Sequence, residues 1–90
     1  MRLEFKHKGL KSFAESGETS GILPCHASRL RECLSMLRQA KAVNGLRWIH
    51  PMAPGSPLQG LWAMRVSAQW RLTFKVEGGV CRDIDYLNYH

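Results

Sequence analysis

Ninety residues, 44% of them apolar and three of them Trp, suffice for one domain over 1–90 with a modest core and leave no room for a second. Thirteen Lys and Arg against seven Asp and Glu give a net charge of +6 and a pI near 9.7, which favours a polyanionic partner, nucleic acid or an acidic protein, although a soluble protein that is merely basic fits the same figure. No run approaches the ~20 apolar residues needed to cross a bilayer, and MRLEFKHKG lacks an apolar segment of signal-peptide length, so a cytoplasmic protein with no membrane contact is expected.

In chain order, residues 2–7 alternate weakly through Leu3 and Phe5, as a short first strand does. Leu10 and Phe13 then fall at helical spacing in a segment from Lys8 to Ala14, closed by Ser16-Gly17, and Gly17 to Gly21 reads as a turn. The strongest helix follows. Pro24 suits a first helical position, Leu30, Cys33, Leu34 and Leu37 form one apolar stripe at i, i+3, i+4 and i+7, and Met36 and Ala40 widen it. Arg29, Arg31, Glu32, Arg38, Gln39 and Lys41 fall outside the stripe, on a basic face that is as a rule simply solvated. Asn44-Gly45 is expected to end this helix. Cys25, Cys33 and Cys81 are odd in number and lack metal-ligand spacing, so they read as reduced thiols filling apolar space. Cys25 with His26 has no second ligand pair for a Zn site, and no metal or other cofactor is expected.

Leu46-Arg47-Trp48-Ile49-His50 reads as a strand ended by Pro51, and Pro51 to Pro57 as a loop on the sheet rim. GLWAMRVSAQWRLTFK, from Gly60 to Lys75, is a ribbon of two strands joined by Ser67-Ala68-Gln69. With that three-residue connection Val66 faces Trp70, Met64 faces Leu72 and Trp62 faces Phe74, one wholly apolar side, whereas a two-residue turn mixes the sides. The same register sets Arg65 opposite Arg71, two cations that repel unless an anion lies between them. A Gly78-Gly79 turn leads into a last strand from Val80 to about Leu87. One bulged residue after the turn is expected to set Lys75 against Asp83, Phe74 against Ile84 and Asp85 across from Thr73, which leaves Asn88-Tyr89-His90 beside the arginine-bearing side. The fold class is α+β: a short N-terminal strand, two helices, then a twisted antiparallel sheet with the helices on one face and a wet, cationic opposite face.

The sequence has no GxGxxG, no phosphate loop, no HExxH and no serine elbow, and Asp83 and Asp85 are too entangled with Lys75 and Arg71 to serve as glycosidase carboxylates. What remains is His50 at a strand end, Arg65 and Arg71 on one sheet face, Lys75 beyond them, and Tyr89-His90 at the C-terminus. Such a set suits phosphodiester transfer without a metal. A base takes the proton of a ribose 2′-OH, cations hold the charge on phosphorus, and an acid protonates the departing 5′-oxygen. Histidine fits either acid or base work because its ordinary pKa of about 6.5 lies near the working pH. Each member also has a plain structural reading: His50 as a strand-end cap, Arg65 and Arg71 as a charge ladder with Asp83 and Asp85, Tyr89-His90 as a frayed tail.

HKGLKSFAESGETSGI near the N-terminus, Arg-Leu-Arg opening the main helix, LWAMRVSAQWRLTF in the ribbon and DIDYLNYH at the end together resemble the HigB-type killer proteins, toxins of the RelE/ParE superfamily. The resemblance covers nearly the whole chain in consistent order and implies a RelE-like fold. It also implies a toxin that cuts messenger RNA, typically in the ribosomal A site, and is held inactive by an antitoxin encoded alongside it. That antitoxin is usually a helix-turn-helix, HigA-like protein, through which the pair represses its own operator DNA. Carried over by motif, the catalytic arginine is Arg71, the active histidine is His50, and the closing Asp-Tyr-His motif falls on Asn88, Tyr89 and His90. Arg47, Arg65, Lys75, Asp85 and Asn88 then support the site or contact RNA.

Two departures stand out. Asn88 replaces the usual aspartate, which removes a carboxylate or shifts its role to Asp85. The loop HPMAPGSPLQG after His50 lacks the usual lysine, a loss of roughly one to three orders of magnitude in rate if that lysine holds transition-state charge. Two other readings follow: a gyrase poison of the ParE kind, which needs neither His50 nor Tyr89-His90, and an RNA- or antitoxin-binding module whose catalytic set has decayed.

Overall fold

The apolar stripe Leu30, Cys33, Leu34 and Leu37 lies on a helix, α2 (Ala27–Gln39), and all four side chains are buried. The structure, a computed structural model, describes residues 1–43, 46–52, 55 and 59–88. Among them a first helix, α1 (Lys8–Ser16), joins α2 in covering one face of a sheet of β1 (Arg2–Phe5), β2 (Ile49–Pro51), β3 (Trp62–Arg65), β4 (Trp70–Glu77) and β5 (Val80–Asn88). The strand order is β1-β5-β4-β3-β2, with β1 parallel to β5 and the other pairs antiparallel. The expected α+β architecture is thus realised. No helix among the described residues is long and apolar enough to cross a membrane.

Local chemistry sets the helix ends. His7 caps α1, its Nδ1 accepting from the Leu10 N–H at 3.0 Å, and Gly17 closes it at φ +79, where its N–H reaches the Phe13 carbonyl. Pro24–His26 forms a 3-10 turn ahead of α2. That helix stops at Gln39, short of the expected Asn44-Gly45, which lies outside the described residues. The Met1 ammonium there donates to the carbonyls of Leu37, Arg38 and Ala40 at 3.1, 2.7 and 2.8 Å. A cation on these open carbonyls complements the negative end of the helix dipole.

The β3–β4 register is the one the apolar pattern selects: Trp62 pairs with Phe74, Met64 with Leu72, and the Val66 N–H meets the Trp70 carbonyl at 3.0 Å across a three-residue connection. Met64, Leu72 and Phe74 are fully buried under the helices with Leu10, Leu30 and Leu37, each worth about 1.5–3 kcal/mol of transfer free energy.

The β4–β5 pairing corrects an expectation. Gly78 and Gly79, both at positive φ, make a two-residue turn, so Lys75 pairs with Arg82 instead of Asp83. The bulge does exist, but lies inside β5, at Asp83 (φ +52) between the Lys75 and Thr73 bridges. It leaves Asp83 in solvent 3.7 Å from Lys75, buries Ile84, and restores Asp85 opposite Thr73. The Ile84 carbonyl then accepts from the N–H groups of both Lys6 and His7, fixing the start of α1.

The strand expected over Leu46–His50 is also shifted. Trp48 adopts φ +62, which ends extended pairing on its N-terminal side, so β2 covers only Ile49–Pro51 and Pro51 is tolerated because β2 is an edge. Of the rim loop, Met52 is buried, and 53, 54 and 56–58 lie outside the described residues. Cys33 and Cys81 are buried as expected, whereas Cys25 is exposed on the 3-10 turn.

Candidate active site

Residues directly opposite in an antiparallel sheet share a side, and the side alternates along each strand. His50 pairs with Ala63, Ala63 with Thr73 and Thr73 with Asp85, one row across four strands. The next row on that side is Arg65, Arg71 and Leu87. The register therefore brings His50, Arg65, Arg71 and Asp85 together on the side away from α1 and α2. This side is not uniformly wet: Ala63 and Thr73 are buried in its floor, with the larger charged residues around them.

The carboxylates are spent elsewhere. Asp83 pairs with Lys75 at 3.7 Å, Asp85 lies 4.0 Å from Lys6 and accepts from the Tyr86 N–H at 2.9 Å, and Glu4 pairs with Arg2 and Arg82. Among the described residues neither Arg65 nor Arg71 has a carboxylate within 4.0 Å, so the ladder that would neutralise them does not form.

Arg71 is drawn along the ribbon towards its own turn: Nη1 donates to the carbonyls of Ser67 (2.6 Å), Trp70 (3.0 Å) and Ala68 (3.4 Å). Carbonyls fix a guanidinium without cancelling its charge, and the fork has further donors. One of them, Nε, is buried with no partner among the described residues, a state that costs energy until an acceptor arrives. Arg65 is exposed beside it.

His50 is half-buried, with Nδ1 3.3 Å from the Pro51 carbonyl. A carbonyl only accepts, so this contact puts the proton of the neutral ring on Nδ1 and leaves the Nε2 lone pair as a base. Tyr89 and His90 lie outside the described residues. Asn88 does not join the arginine side: it pairs with Trp70 and lines a pocket on the helical side. Arg47 is exposed in the turn before β2, its guanidinium 4.8 Å from the centre of the Trp48 ring.

A second cation at that ring is a feature the sequence did not reveal. Arg29, assigned to a solvated helix face, lies 3.7 Å over Trp48 with its Nη1 buried and unpartnered among the described residues. Two guanidiniums thus stack on one indole. Helical spacing could not reveal it, because the ring reaches α2 only through the left-handed turn at Trp48. The buried thiols can be set aside as nucleophiles: burial pushes Cys33 up to about 11 and Cys81 to about 12, holding both as thiols.

A family model described as the RelE-like toxin of the type II toxin-antitoxin system HigB matches residues 3–90. The chain is 35% identical over 88 residues to the endoribonuclease HigB of Proteus vulgaris, spanning 96% of each protein. Its fold is similar to YoeB in the YoeB–YefM complex of Staphylococcus aureus (TM-score 0.63, 17% identity, 100% of this chain and 97% of that one). It is also similar to YafQ of E. coli (TM-score 0.58, 16% identity, 98% and 93%). By the family model over residues 3–90 and the 35% identical relative, the chain belongs to the HigB-like family, the RelE-like toxins of type II toxin-antitoxin systems.

Proposed function

We propose that this toxin is an endoribonuclease that cleaves messenger RNA on the ribosome, in the cytoplasm, and is held inactive by its antitoxin. The observation that carries the reading is the pair Arg65 and Arg71, directly opposite one another on the sheet face away from α1 and α2 without a carboxylate partner among the described residues, with His50 in the adjacent row. A phosphodiester seated there supplies acceptors for the unpartnered Nε of Arg71 and relieves the repulsion between the two arginines. The relative named an endoribonuclease, alike over 96% of both chains, supports the same chemistry.

In this mechanism His50 Nε2 takes the proton from a ribose 2′-OH, the 2′-oxygen attacks phosphorus, and the bond to the 5′-oxygen breaks. A protonated group, supplied by the Tyr89-His90 end, gives its proton to that oxygen, leaving a 2′,3′-cyclic phosphate and a 5′-hydroxyl. Arg71 holds the charge on the phosphoryl oxygens, and Arg65 and Lys75 attract the flanking backbone. With no lysine in the loop after His50, catalysis is slow and the ribosome completes the site. The antitoxin is of the helix-turn-helix, HigA-like kind, and brings the pair to operator DNA.

Primer extension on messenger RNA after induction tests the proposal: discrete in-frame cuts are expected. Intact message with a supercoiling defect would instead indicate a gyrase poison, and intact message with normal supercoiling a binding module.

A further inference from the structure

Behind the arginine side, at the same end of the sheet, lies an open pocket of about 410 Å³ that the mechanism does not use. His7, Ser20, Gly21, Trp70, Tyr86 and Asn88 line it. Its aromatic wall is built: Trp70 and Tyr86 lie with ring centres 4.5 Å apart and planes 31° from parallel, and the His7 ring meets Tyr86 edge-on at 5.5 Å. Tyr86 is locked in turn, its hydroxyl 2.5 Å from Nδ1 of the buried His26 and 3.4 Å from the Leu23 N–H. The facing wall, the 17–23 loop, is pressed against α1: a Cβ on Gly9 would lie 2.7 Å from the Gly21 carbonyl oxygen, so only glycine lets the loop come this close.

The polar edge is defined as well. His7 Nδ1 accepts from Leu10, so the neutral ring carries its proton on Nε2, a donor. Asn88 and Ser20, both exposed, add an amide and a hydroxyl. The pocket is also tied to the arginine side by the chain itself. Trp70 and Asn88 form one bridge of the β4–β5 pair, Arg71 and Leu87 form the next, and Asn88 directly precedes Tyr89-His90.

We infer that this pocket seats a nucleobase of the RNA strand, one next to the phosphodiester held at Arg71, by stacking on Trp70 with its edge towards His7, Ser20 and Asn88. The inference rests on RNA being the substrate. Trp70 directly precedes Arg71 at the start of β4, so a strand turning round the end of the sheet reaches both, and an aromatic ring near a backbone-binding cation is an arrangement by which proteins take single-stranded RNA, any base stacking and purines stacking best. An apolar side chain of the antitoxin is the alternative occupant, but it would make no use of the amide, hydroxyl and imidazole donors of the rim.

The test uses the free toxin and the indole N–H resonances of Trp48, Trp62 and Trp70, titrated with the four nucleoside 5′-monophosphates, with ribose 5-phosphate and with inorganic phosphate. The Trp70 resonance is expected to move with every nucleotide, more tightly with purines than pyrimidines, and with neither phosphate alone. Trp70→Leu and Asn88→Ala should weaken nucleotide binding, the first by roughly 5- to 150-fold, the range for loss of one base stack. A Trp70 resonance that stays still, or moves equally with inorganic phosphate, overturns the inference, as does a Trp70→Leu variant that loses antitoxin affinity while binding nucleotides normally. Nucleotide-dependent movement of Trp70 in a protein that cleaves no message would uphold the pocket and defeat the ribonuclease reading, so the two fail separately.

Discussion

The two faces of the sheet are made by alternate residues of the same strands and have opposite tasks. On the helical face the core cluster is apolar among the described residues, and Met64, Leu72 and Phe74 are sealed by α1 and α2. On the other, Arg65 and Arg71 share a row with no carboxylate within 4.0 Å of either among the described residues, a local repulsion that folding alone would not select. The difference teaches that the buried Leu72 and the proposed catalytic Arg71 lie one residue apart along β4, so that stability and activity are expected to be separable by substitution.

The largest effect is expected at Leu72→Ala, which should cost about 2–5 kcal/mol in denaturant unfolding while the folded fraction keeps its cleavage rate. Its neighbour Arg71→Ala should do the reverse, abolishing growth arrest with a loss of about 10²–10³-fold in cleavage, leaving antitoxin affinity intact. Stability should fall only modestly, through the freed carbonyls of Ser67, Ala68 and Trp70. An equally toxic Arg71→Ala would remove that arginine from the mechanism. His90→Gln should slow cleavage by purified toxin more than it weakens RNA binding, and an unchanged rate would make the tail structural.

A smaller effect concerns pH. Burial lowers the pKa of His26 below its ordinary 6.5 and raises that of Tyr86 above 10.0. The folded state therefore takes up the His26 proton less readily than the unfolded one, so its contribution to stability is complete above 6.5 and is lost as the pH falls below it. Tyr86 contributes fully below 10.0 and loses its share as the pH rises past that value. His26→Phe should be less stable at neutral pH but show a shallower decline in Tm between about pH 6.5 and 5. The smallest expected change is at Arg65→Ala, which should lower the slope of RNA affinity against salt by about one unit, as one phosphate contact does.

Much of this contrast is legible in the sequence because it depends on period-2 alternation, which fixes the pairing of Trp62, Met64, Arg65, Arg71, Leu72 and Phe74; the sequence put His50 only at a strand end, and its row beside Ala63 comes from the β2–β3 pairing. The α2 stripe is legible for the same reason at period 3.6. Features resting on left-handed backbone were less so: the tight Gly78-Gly79 turn set Lys75 onto Arg82 and deferred the bulge to Asp83, and the turn at Trp48 shortened β2 and carried an indole under Arg29. Tryptophan seldom enters that region, so nothing in the string marked Trp48; aspartate enters it more readily, but the bulge was expected nearer the turn than Asp83. The pocket of His7, Trp70 and Tyr86 was missed because it joins residues far apart in the chain through a close approach of two glycines, Gly9 and Gly21.

The central claim is that the arginine-bearing face breaks RNA, and the direct measurement is single-turnover cleavage of message on programmed ribosomes by purified wild type and Arg71→Ala, each verified as folded by its Tm. Discrete cuts by the wild type, lost in the variant, are predicted. Equal cutting by both proteins, or intact message with both, would contradict it.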